Sequence, residues 1–296
     1  MRVAMTGSGG CIGTALAASL RVDGHEIVRL VRRAAQEPDE AGYVPELDLL
    51  NPERLEGCRA IVHLAGADPG AHAWNAADRA TFQRSRYEVT RKICQGVAGL
   101  RDLPDVFVSA SSLAYYGECP AGAVDGASPR GKGALAEFVE EWEFAAEMVE
   151  AVGMRLVWAR LAPVFPPRRS PTAGLGKALR SLDAAGFDAA LGDPQHAVDW
   201  VALDDAVAAL RHTIETASLD RGVVVCAPQA ATREALMRGI GDGAAAPRGR
   251  RAGEATDARA HMGDLWAEAW TASRRAEPRA LLASGFRFRQ PQFPSP

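Results

Sequence analysis

The stretch Thr6-Gly7-Ser8-Gly9-Gly10-Cys11-Ile12-Gly13 decides the fold. It follows residues 2–6, a short apolar run that reads as a strand, and it opens residues 12–20, which read as a helix with small side chains on one face. Gly7, Gly10 and Gly13 stand at G-x-x-G-x-x-G spacing between the two. Gly7 permits a tight turn, Gly10 lets backbone approach a pyrophosphate, and Gly13 lets the helix pack close to the sheet. With Ser8, Cys11 and Ile12 the turn presents N–H groups at a helix N-terminus, where phosphate is favoured. A glycine triplet alone is a weak signal; strand before and helix after give it weight.

Residues 26–31, 60–64, 105–110 and 155–160 read as strands, with helical stretches at 79–99 and 134–152. Strands alternating with helices predict right-handed crossovers and a parallel sheet covered on both faces. The predicted class is α/β, a doubly wound Rossmann sheet with a smaller, mostly helical C-terminal substrate cap. After Pro163 the texture changes, to a Pro- and Arg-rich loop at 166–171. A short strand at 198–201, a helix at 203–214 and a strand at 221–227 follow. Residues beyond Pro228 show no strand texture until Gly285-Phe286-Arg287-Phe288. The expected organisation is a dinucleotide-binding domain over 1–165, to which 196–227 return, and a cap made of 166–195 and 228–296.

The tip of the second strand selects the cofactor. An acidic residue there would bind the ribose hydroxyls of NAD; the chain has Leu30-Val31-Arg32-Arg33 instead. Arginine suits a 2′-phosphate, so the expected cofactor is NADP(H), with Arg32 on that phosphate. Asp48 and Leu49, and then Leu64, Ala65 and Gly66, fall where the third and fourth strands end, and are expected to flank the adenine and its ribose.

Composition narrows the function classes. Thirty-four basic residues oppose 37 acidic ones, a formal net charge of −3 in 296 residues, which gives no general attraction to nucleic acid or an anionic membrane. No apolar run approaches the roughly 18 residues of a membrane-spanning helix. The start of the chain lacks a signal-peptide layout, and the five cysteines form no C-x-x-C pair. A cytoplasmic location with reduced thiols and no metal site is expected.

Several stretches together resemble one family. They are Thr6–Gly13, His63-Leu64-Ala65-Gly66, Ser109-Ala110-Ser111-Ser112-Leu113-Ala114-Tyr115-Tyr116-Gly117, Leu135-Ala136-Glu137 with Glu141-Trp142-Glu143, Asp199-Trp200-Val201 with Asp204-Asp205, and Gly285-Phe286-Arg287-Phe288-Arg289. The chain resembles the extended short-chain dehydrogenase/reductases, the NAD(P)-dependent epimerase/dehydratase group. Its Tyr-Tyr-Gly and Gly-Phe-Arg-Phe-Arg pieces are most like the atypical "epimerase family protein" branch of unknown substrate.

The resemblance implies a catalytic serine at the end of the strand over 105–110. Ser111 and Ser112 both qualify; counting back from Tyr116-Gly117 favours Ser112, and a one-residue insertion at the doubled tyrosine would favour Ser111. It also implies backbone contacts from Pro163 and Val164 to the nicotinamide, and a substrate cleft faced by Trp74 and residues 196–200. The larger family's Tyr-x-x-x-Lys pair, one helical turn apart, is missing. Its places fall near Ala136 and Glu140, or Glu137 and Glu141 if the loop length differs. Tyr115 and Tyr116 are the remaining candidates for proton transfer, and Lys132, Glu137, Glu140 and Glu141 are further ionisable groups nearby.

The expected function is an NADP(H)-binding oxidoreductase or epimerase on a small organic substrate, with a homodimer formed through the helices at 79–99 and 134–152. The missing pair leaves two alternatives: a non-redox isomerase, dehydratase or cyclase on the same scaffold, and a non-catalytic NADP(H)-binding protein.

Overall fold

The computed structural model of the chain describes residues 1–44, 49–67, 76–119, 122–165, 193–240, 272 and 274–294. In chain order the elements are β1 (Arg2–Thr6), α1 (Cys11–Val22), β2 (Glu26–Val31), β3 (Glu40–Val44), β4 (Leu49–Leu50), β5 (Ala60–His63), α2 (Ala76–Ala98) and β6 (Val106–Ser112). Then come β7 (Ala123–Val124), α3 (Ala134–Phe144), β8 (Arg155–Leu161), β9 (Val164–Phe165), β10 (Ala197–Val198), β11 (Val201–Ala202) and α4 (Leu203–Glu215). The described chain closes with β12 (Arg221–Val225), β13 (Ala231–Thr232), α5 (Arg233–Ile240), β14 (Arg275–Ala276) and α6 (Arg279–Ala283).

Eight strands form the main sheet in the order β12-β8-β6-β5-β1-β2-β3-β4. All pairings are parallel except that of β4, an antiparallel edge on β3. Both faces are buried, and the strand period of two divides the core between them. Val3 and Met5 of β1 pack with Leu16 and Leu20 of α1 and with Ala206 and Leu210 of α4. Ala4, between them, packs on the opposite face with Ile93, Cys94 and Val97 of α2. The chain steps from β1 outward through β2 and β3, then returns to place β5 on the other side of β1. The crevice above β1 and β5 is therefore the switch point where such sheets bind ligands.

Four local readings change. The helix expected over 134–152 ends at Phe144; a 3₁₀ segment, Glu147–Val152, follows and stops at Gly153, whose φ is +90°. β6 runs two residues past the expected 110, because β8 pairs Ser111 with Arg160 and Ser112 with Leu161. The strand expected at 198–201 splits into β10 and β11, which join different partners, with Asp199 and Trp200 between them. Gly285–Phe288 is no strand: Gly285 follows α6 at φ +88°, and Phe286 is buried against His212 with ring centroids 5.5 Å apart. Residues 166–192 and 241–271, most of the expected cap, lie outside the described residues. Among the described residues no helix is long and apolar enough to cross a membrane.

Candidate functional site

The turn after β1 is built on contacts that leave no room for a side chain. Gly7 has φ +65°, and a Cβ there would lie 2.7–2.9 Å from the backbone of Leu64 and Ala65. The loops leaving β1 and β5 touch at this point. Gly13 fills a different role from the helix-to-sheet packing expected of it: its Cβ would meet the Gly7 carbonyl oxygen at 2.1 Å. The turn closes through Gly10 N–H donating to that same oxygen at 3.0 Å. Gly10 is the N-cap of α1, with no side-chain cap and no acidic residue in the first turn. The opening N–H groups of α1 thus face the crevice with the positive end of the helix dipole behind them.

A buried relay sets the β5 loop. Thr6 Oγ1 accepts the N–H groups of Leu64 and Ala65, both at 3.1 Å, and lies 2.8 Å from His63 Nδ1. His63 Nε2 lies 2.9 Å from Thr90 Oγ1. With two donors already on Thr6, its own proton goes to His63 Nδ1, so Nε2 carries the imidazole proton toward Thr90. Complete burial, helped by the Arg86 charge, pushes the His63 pKa down to about 4, which keeps the ring neutral. Beyond the relay, a Cβ on Gly66 would stand 3.1–3.3 Å from the Arg86 guanidinium. That guanidinium lies over the Phe82 ring at 3.6 Å and donates to the Ala67 carbonyl.

At the tip of β2 the two arginines differ. Arg33 makes two 2.7 Å bonds to the buried Glu40 carboxylate, which also accepts the N–H groups of Gln36 and Glu37. The Arg33 bonds, and then the Gln36 N–H, hold the Glu40 carboxyl down to about 2. Arg32 is exposed and makes no hydrogen bond or ion pair among the described residues. Asp48 lies outside the described residues, and Leu49 sits in the antiparallel edge strand β4.

The end of β6 separates the four candidate hydroxyls. Ser111 is buried and donates to Glu143 Oε1 of α3. Glu143 in turn takes a two-point ion pair from Arg160 of β8, at 2.9 and 2.8 Å. Arg160 also donates to the Tyr116 hydroxyl at 2.8 Å, and that hydroxyl donates to the Asp125 carbonyl. Burial pushes the Tyr116 pKa up to about 12, against the pull of Arg160. Ser111 and Tyr116 are therefore engaged inside the protein. Ser112 is only half-buried, and its oxygen accepts the Ala114 N–H at 3.1 Å, which leaves its proton to donate. Tyr115 is half-buried; its ring lies 3.5 Å from the Arg160 guanidinium, and its hydroxyl makes no hydrogen bond among the described residues.

The helix α3 carries neither tyrosine nor lysine. Ala136 is fully buried, whereas Glu137, Glu140 and Glu141 are exposed, with Glu140 paired to Arg130 at 2.8 Å. These glutamates form a solvated face. Lys132 is exposed. Pro163 precedes β9 and Val164 opens it, with the Pro163 carbonyl accepting Val201 N–H at 3.0 Å. Trp200, expected in the cleft, is buried among Phe165 and Phe293 and donates to the Gln229 carbonyl. Trp74 lies outside the described residues.

The Glu143–Arg160 pair is the main feature that reading the sequence missed. Its signal was present: an arginine inside the buried parallel strand Arg155–Leu161 requires a buried partner. A dinucleotide fits what is here: two glycines admit no Cβ, the start of α1 is uncapped, and one guanidinium at β2 is uncommitted.

The comparisons agree with this geometry. The profile of the NAD dependent epimerase/dehydratase family matches residues 3–227. An epimerase family protein of Mycobacterium bovis is 34% identical over 192 residues, covering 64% of this chain and 61% of that protein. The Bos taurus epimerase family protein SDR39U1 is 32% identical over 151 residues, 50% of this chain and 49% of that protein. The chain thus matches about half to three-fifths of these relatives' lengths. Among solved structures, that of human epimerase family protein SDR39U1 with NADPH aligns over 99% of this chain and 96% of that one, with a TM-score of 0.80 and 24% identity. With its family profile spanning the glycine turn, the relay and the serine strand, the chain belongs to the NAD dependent epimerase/dehydratase family.

Proposed function

We propose that the chain is an NADP(H)-binding enzyme, an oxidoreductase or epimerase acting on a small organic substrate without the Tyr-x-x-x-Lys pair. The observation that carries the cofactor choice is the contrast at β2: Glu40 takes up Arg33, whereas Arg32 makes no ion pair among the described residues. A guanidinium so placed suits a 2′-phosphate and disfavours nothing about it. The human relative solved with NADPH supports the same choice.

In this reading Gly7, Ser8, Gly10, Cys11, Ile12 and Gly13 hold the pyrophosphate. Leu64, Ala65 and Gly66 line the adenosine side, and Pro163 and Val164 offer backbone to the nicotinamide. Bound NADP(H) supplies hydride exchange. Ser112 hydrogen-bonds a substrate oxygen through its free O–H and keeps that proton, and Tyr115, stacked on Arg160, holds or moves the one proton that accompanies the hydride. Ser111 and Tyr116 keep Arg160 and Glu143 in place. The substrate cap is built from 166–195 and from the part of 228–296 that precedes β14, since β14, Leu281 and Phe286 pack on the dinucleotide domain; two copies pair through α2 and α3, and the protein works in the cytoplasm.

The absent Tyr and Lys on α3 favour a second reading, a non-redox enzyme on the same scaffold. It differs in one observable: turnover would proceed equally well whether or not NADP(H) is added. The first test is titration of the purified protein with NADPH and with NADH, followed by nicotinamide fluorescence. NADPH is expected to bind at least ~10-fold tighter, the worth of one charge-assisted contact. Equal affinities, or no binding of either, would overturn the NADP(H) reading.

A further inference from the structure

The helix α1 starts after β1 of the main sheet, α4 starts after β11 of the small β9–β11 pair that follows β8, and the two helices pack in one core on the same face of the sheet. Arg211 of α4 donates to Ser19 Oγ of α1 at 2.9 Å. Asp205 lies six residues earlier on α4, about 9 Å nearer the helix start at 1.5 Å per residue. That rise sets Asp205 level with the first turn of α1 along the packed helix pair.

Among the described residues the buried Asp205 carboxylate binds no side chain. Its two oxygens accept the backbone N–H groups of Arg289 and Gln290, each at 2.8 Å. The segment is anchored on both sides of these bonds. Upstream, Phe286 is buried in the core that α1 and α4 share. Downstream, the Phe293 ring stands 4.8 Å from Trp200 and 5.8 Å from Phe165. Backbone at 289 is therefore fixed at the edge where α1 begins.

Arg289 is exposed, and its guanidinium makes no hydrogen bond or ion pair among the described residues. The glycine turn and most of α1 hold no cation of their own: residues 3–20 contain neither lysine nor arginine. A pyrophosphate on this turn carries two negative charges and meets N–H groups, the Ser8 hydroxyl and a helix dipole there, with no cation from residues 3–20.

We propose that Arg289 is a cationic ligand of the dinucleotide pyrophosphate, carried to the glycine turn by the C-terminal segment and set there by Asp205; this rests on the dinucleotide reading above. Arg289 acts on the group that NADPH and NADH share, whereas Arg32 acts on the 2′-phosphate that only NADPH has. The two arginines therefore leave different signatures.

The test titrates wild type, Arg289→Ala, Arg289→Lys and Arg287→Ala with NADPH and NADH. Arg289→Ala is expected to weaken both cofactors by the same ~10-fold, with a shallower dependence on salt. Arg289→Lys recovers part of the loss, because the charge is kept, and Arg287→Ala, exposed two residues earlier, binds like wild type. Unchanged affinity for both cofactors in Arg289→Ala would overturn the proposal, as would a loss confined to NADPH. If wild type binds neither cofactor, the dinucleotide reading itself has failed, an outcome separate from a wild type that binds and an Arg289→Ala that binds equally well.

Discussion

Glu143→Ala is expected to cost about 3–5 kcal/mol of stability, the range for removing one partner of a buried ion pair. The cause is what the change leaves behind. Arg160 is 3% exposed and sits in the strand between β6 and β12, where water does not replace a lost carboxylate. Among the described residues the Tyr116 hydroxyl and, at 3.3 Å, the Gly126 carbonyl would remain as acceptors for its N–H groups. Ser111 would lose its acceptor at the same time. The surroundings have no slack: a Cβ on Gly222 would stand 2.8 Å from the Arg160 guanidinium. Urea unfolding measures the loss directly. Glu143→Gln, which keeps the volume and one acceptor, should lose less, and Glu143→Leu with Arg160→Met should recover much of the stability, since apolar replacement of both partners is often neutral. A loss below about 1 kcal/mol for Glu143→Ala would mean that the pair is not buried as described.

The second large effect falls on binding. Gly13→Ala is expected to weaken NADPH by about 100-fold or more while the sheet remains folded. The added methyl would sit 2.1 Å from the Gly7 oxygen, 2.8 Å from its carbonyl carbon and 2.9 Å from Ser8 Cα. All three are backbone atoms of the turn, so relief requires moving the turn itself, and such overpacking costs roughly 1–3 kcal/mol. Gly9→Ala is the control, since nothing lies within 4 Å of its Cβ position. Circular dichroism alongside the titration separates lost binding from lost fold. Equal NADPH affinity in Gly13→Ala and wild type would remove the turn from the cofactor site.

The first βαβ unit was legible because its signals are local. The glycine spacing and the apolar runs on either side of it specify strand, turn and helix within 22 residues of chain. The break after Phe144 was not legible, because Glu143 to Val152 keep an apolar texture that suits either helix type. The choice between Ser111 and Ser112 was also out of reach by counting. It turns on Glu143, 32 positions away, and on the pairing of β6 with β8, which together draw one hydroxyl inward. Likewise Arg32 and Arg33 are equivalent as letters, and only the buried Glu40 distinguishes them. The attachment of residues 289–290 to Asp205 joins positions more than 80 apart, with backbone N–H groups that leave no trace in residue type.

The most direct test is the ratio of NADPH to NADH affinity in Arg32→Asp. Arg32 is exposed and unpaired, so the substitution leaves the fold alone and changes only the charge at the tip of β2. The expected result is a loss of about 100-fold for NADPH, with NADH little changed, because a cation is replaced by an anion facing the 2′-phosphate. An Arg32→Asp protein that keeps the wild-type preference for NADPH would contradict the assignment of that phosphate to Arg32.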